Sequence, residues 1–91
     1  SMDRFRSKLS SMKASGDKRL RSERERLYNK VKQLEADIAL LENNIGFFAH
    51  SKNAESMIND VRAKIAKAKA EMAETIEKVK MIDREEEQSE N

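Results

Sequence analysis

Apolar residues in this sequence recur at helical spacing twice, in two registers that one unbroken helix cannot join. The first seam is Leu20, Leu27, Val31, Leu34, Ile38, Leu41 and Ile45, separated by seven and then by alternating four and three, which lines one helix face. The second is Ala54, Ile58, Val61, Ile65, Ala68, Met72, Thr75, Val79 and Ile82. Carried straight through, the first register would put Lys52, Glu55, Asn59 and Arg62 in the seam, where unpaired charge is costly. The pattern predicts an all-α fold: an antiparallel two-helix coiled-coil hairpin, preceded by a short basic amphipathic helix.

Between the seams lies Glu-Asn-Asn-Ile-Gly-Phe-Phe-Ala-His-Ser-Lys-Asn, residues 42–53. Gly46 gives the break a local cause, since glycine takes the left-handed conformation after a helix end without steric penalty. The first long helix is therefore expected over residues 18–45, the turn over 46–53 and the second helix over 54–84. In a glycine-terminated ending Phe47 folds back on Leu41, while Ser51 or Asn53 caps the second helix. This hairpin would set Ile45 near Ala54 and Ile58, and Leu27 near Met72.

In front of the hairpin, residues 3–13 carry Phe5, Leu9 and Met12 on one helical face, with Arg4, Arg6, Lys8 and Lys13 around them. Residues 14–17, with Gly16, read as a loop or kink, and Asp17 as a cap. Ser1-Met2 reads as an expression scar ahead of a start or a domain cut. At the other end, residues 85–91 are acidic, lack apolar periodicity and are expected to fray. Residues 1–30 hold ten Lys/Arg against four Asp/Glu, and residues 71–91 hold three against eight. A hairpin brings these opposite charges together.

The 91 residues contain no cysteine, no proline and two glycines. That composition belongs to long helices and is compatible with a reducing, cytoplasmic compartment. No apolar run of membrane-spanning length occurs. Catalysis needs a concave site, which two helices do not make, and His50, the one histidine, has no catalytic or metal-ligating set around it. Neither an enzyme, a cofactor nor a small-molecule substrate is expected.

Interaction surfaces remain. Leu27, Val31, Leu34, Ile38, Leu41, Ile45, Ile58, Val61, Ile65 and Met72 are the expected hairpin core. Leu40 lies off the seam, and Ala63, Ala66, Ala70 and Ala73 form a stripe opposite it, small enough for another helix to approach closely. Alanine is also the best former of a solvated helix face. At the turn, Gly46, Phe47 and Phe48 mark the tip. Both rings can close the helix ends, or Phe48 with His50 and Lys52 can form a docking knob.

Phe5 to Met12, the run Glu35-Ala-Asp-Ile-Ala-Leu-Leu-Glu-Asn-Asn-Ile-Gly-Phe-Phe-Ala-His-Ser-Lys-Asn-Ala54 and the helix ending Lys78-Val-Lys-Met-Ile82 resemble the C-terminal segment of bacterial proteins bearing repeats of domain of unknown function 349. The resemblance covers nearly the whole chain and implies an intracellular, largely helical protein, of which this would be the terminal hairpin. Those repeats are rich in tryptophan and glycine signals; this chain has no tryptophan and none of the repeats. No functional residue transfers.

The reading is a protein-protein interaction or oligomerisation module whose partner is a second copy or other helices of its parent, because a lone two-helix hairpin is marginal. The rival is nucleic-acid or ribosome binding through Arg4, Arg6, Lys8, Lys13, Lys18, Arg19, Arg21, Arg24 and Arg26, a salt-sensitive phosphate interaction. No aromatic stacking platform accompanies them.

Overall fold

The computed structural model describes residues 18–89, Ser89 by its backbone alone. The expected helix over 3–13, the loop at 14–17 and residues 90–91 of the acidic tail lie outside the described residues. Two helices make up the rest: α1 (Lys18–Phe48) and α2 (Ala54–Ser89). They pack along their length into a body 61 × 19 × 16 Å.

The seams are the contact. One cluster joins Leu20 and Leu27 to Val79 and Ile82, with Tyr28 packed against it. A second joins Ile38 to Val61 and Ile65, flanked by Leu41, Ile45, Phe48, Ala68 and Met72. Arg24 pairs with Glu86 and Lys30 with Glu71. Partners therefore descend along α2 as they ascend along α1.

The first helix does not stop at Gly46. It runs on to Phe48, and no described glycine has positive φ. Three residues of helix are gained because Phe48, three after Ile45, continues the seam onto the second cluster. Burying part of an aromatic ring outweighs the roughly 1 kcal/mol that helical glycine costs relative to alanine. The turn is shortened to residues 49–53, where the Ser51 amide donates to the Phe48 carbonyl at 3.1 Å and the Ala54 amide to the Ser51 carbonyl at 3.2 Å.

Two expectations change with it. Leu27 shares its cluster with Val79 rather than with Met72, which packs with the Ile38 cluster. The second helix also continues past residue 84 to Ser89. Glu86 follows Ile82 by four, falls on the seam and is 4% exposed against Arg24, so helix replaces the frayed end expected over the described part of 85–91.

Candidate functional site

Local sequence places two surfaces at opposite ends of the hairpin. At the tip, the Asn53 carbonyl accepts the Met57 amide at 3.0 Å, which makes Asn53 the residue before the first turn of α2. Glu55 stands in that turn, where the positive end of the helix dipole favours a carboxylate. The hydroxyl of Ser51 donates to the sulfur of Met57 at 3.5 Å.

The two phenylalanines divide the tip between inside and outside. Phe48 is half-buried on the Ile38 cluster, whereas Phe47 is 75% exposed. This reverses the expectation that Phe47 folds back on Leu41, and of the two readings of the tip it leaves Phe48 closing the seam rather than forming a knob. Successive helical residues point about 100° apart, so seating Phe48 on the seam turns Phe47 outward. Leu40, 61% exposed, precedes Phe47 by seven residues and so shares its face. His50 and Lys52 are exposed in the turn. The hollow beside them, lined by the polar residues Lys52, Asn53, Glu55, Ser56, Asn59 and Asp60, is open.

On α2, Ala63, Ala66, Ala70 and Ala73 are all exposed, with Met81 on the surface further along. Of the other core residues, Leu27, Val31, Leu34, Ile38, Val61 and Ile65 are buried, while Leu41, Ile45, Ile58 and Met72 are half-buried.

The opposite end holds charge inside. Arg24 is 3% exposed and its guanidinium donates to the Glu86 carboxylate. Asp83 is buried beside them at 4%, and Thr75, at 2%, donates its hydroxyl to the Glu71 carbonyl at 2.8 Å. Sequence reasoning missed this group because Arg24 reads as a candidate phosphate contact and Glu86 as part of an acidic tail expected to fray. Their seam positions were the available signal.

Outside the seam, charges pair locally. Arg26 donates to Glu23, and that hydrogen bond holds the Glu23 carboxyl below its ordinary pKa and raises the arginine's. Lys80 meets Glu77 at 3.1 Å, and Lys32 lies 5.8 Å from the centre of the Tyr28 ring. Of the phosphate-contact candidates, Arg4, Arg6, Lys8 and Lys13 fall outside the described residues. Lys18, Arg19 and Arg26 are exposed and Arg21 is half-exposed, while burial removes Arg24 from the set.

Among the described residues no group of three or more His, Cys, Asp or Glu is placed to hold a metal, and no helix is long and apolar enough to cross a membrane. No family model, curated protein or solved structure matches the chain significantly.

Proposed function

We propose that the chain is a non-enzymatic, antiparallel coiled-coil hairpin serving as a protein-protein interaction or oligomerisation module of a larger cytoplasmic protein, as its resemblance implies. One observation carries the reading. Leu40 and Phe47 hold 61% and 75% of their surface in water on one face of α1, a face the hairpin does not use. Large apolar side chains set outward on a rigid helix are the usual anchors of helix-mediated contacts. The exposed alanines of α2 add a surface that another helix can approach closely.

The hairpin's orientation is supported by the descending order of contacts, from Arg24 with Glu86 to Ile38 with Val61. Sedimentation equilibrium over a wide concentration range tests the module. The wild-type chain is expected to show concentration-dependent mass, and the pair Leu40→Ser and Phe47→Ser to remain monomeric with unchanged helix content. A wild-type monomer at every concentration would remove self-association.

A further inference from the structure

Opposite its buried seam, α1 carries a second line of residues at alternating four and three spacing: Asn29, Gln33, Ala36, Leu40, Asn43 and Phe47. That spacing is the spacing of a coiled-coil contact. All six are exposed and none is charged, in a chain of which 40% is charged, so a partner can cover the line without stripping water from an ion. Leu40 follows the buried Ile38 by two residues, about 200° round the helix, which turns the line away from α2. The outward stripe of α2, Ala63, Ala66, Ala70 and Ala73, is exposed too, but it offers a single methyl group at each step.

We propose that this line is covered by the same line of a second copy of the chain, α1 against α1, parallel and in register. The proposal rests on reading Leu40 and Phe47 as docking anchors, and it names their partner and its direction. Contact between α1 of one copy and α2 of another would leave one set of anchors in water. Contact of α1 with α1 covers both sets in one closed, two-fold interface.

Charge gives the direction. Lys32 flanks the line on one side and Asp37 on the other, and both are exposed. In parallel register the Lys32 flank of each copy meets the Asp37 flank of the second copy, twice over by symmetry, whereas antiparallel contact sets like flank against like. Within the chain Lys32 lies over the Tyr28 ring and Asp37 accepts from Gln33 at 2.9 Å, which keeps both charges beside the line. Asn43 gives the register. Between Leu40 and Phe47 it meets the second copy's Asn43 amide to amide, and a slipped pairing would leave those amides in apolar surroundings. The dimer then sets both turns at one end, with α2 of each copy outermost.

The chain has no cysteine, so Lys52→Cys, in the exposed turn, carries one spin label per copy and every dipolar distance lies between copies. Parallel pairing is expected to give about 20–30 Å, from helices side by side about 10 Å apart. The distance should survive Ala70→Glu on α2 and vanish in Leu40→Ser with Phe47→Ser at unchanged helix content. Lys32→Glu is expected to weaken the dimer, and adding Asp37→Lys to restore it.

A distance beyond about 40 Å, as opposed α1 helices give at 1.5 Å of rise per residue, overturns the parallel pairing while leaving self-association standing. Loss of the coupling in Ala70→Glu overturns it in favour of an α1 to α2 contact. Equal weakening by Lys32→Glu with and without Asp37→Lys removes the charge pairing that sets the direction. A monomer without coupling at every concentration overturns both this pairing and self-association, and leaves the face to a different protein.

Discussion

The base of the hairpin buries an arginine, a threonine, an aspartate and a glutamate more completely than the tip buries Ile45, Phe48 or Ile58. Hydropathy alone would order these residues the other way. Burial follows the neighbours a side chain has, and it is more complete at the base than at the tip. The hairpin is most closed where the start of α1 meets the last part of α2, and its far end presents Leu40 and Phe47 outward. Arg24 and Glu86 tolerate their position because each neutralises the other, whereas the tip needs no such pairing since water reaches it.

The largest effect should come from breaking that pair. Glu86→Ala leaves the Arg24 guanidinium without this partner in a site 3% exposed, and loss of one member of a buried pair costs about 3–5 kcal/mol. Urea unfolding of the full chain measures it. The double variant Arg24→Met with Glu86→Leu should recover most of the loss, because an apolar pair of similar volume removes both desolvation costs. If Glu86→Ala shifts the midpoint no more than a surface substitution does, the base is open to water and the contrast between the ends disappears.

A second comparison uses one residue type at both ends. Leu27 is 2% exposed and its truncation to alanine should cost about 3 kcal/mol, within the range for leucines in closed cores. Leu41, half-buried on the Ile38 cluster, should lose about 1–2 kcal/mol, because less apolar area leaves water when it folds. Equal losses would mean that the tip is as closed in solution as the base. Amide exchange should follow the same gradient, fastest near residues 49–53 and slowest around Val31 and Val79.

The seam was legible because its signal is local. Val31, Leu34, Ile38, Val61 and Ile65 announce a helix face by spacing, and spacing survives whatever the partner does. The base was not legible in the same way. Arg24 and Glu86 stand 62 residues apart, and each alone is an ordinary charge on a charged helix. Only alignment of the two seams, four residues beyond Ile82 on one and three before Leu27 on the other, makes them meet. The tip failed for another reason. Phe47 and Phe48 are adjacent, so their roles depend on where α1 ends, and Gly46 pointed to an ending three residues too early.

Gly46 provides the smallest of these effects and the most pointed one. It lies inside α1 with no positive φ, and a Cβ added there meets nothing within 4 Å. Gly46→Ala should therefore stabilise the chain by about 1 kcal/mol, the difference between glycine and alanine within a helix. The gain is read as a higher urea midpoint with an unchanged slope. Were Gly46 instead the left-handed residue ending the helix, alanine would lower the midpoint, through the roughly 1–2 kcal/mol steric cost of that conformation. A lowered midpoint would also unseat Phe48 from the seam and turn Phe47 elsewhere, removing the outward face that distinguishes the tip from the base. A raised midpoint, at a site without side-chain contacts, shows backbone preference setting the length of α1 where the seam is only half-closed.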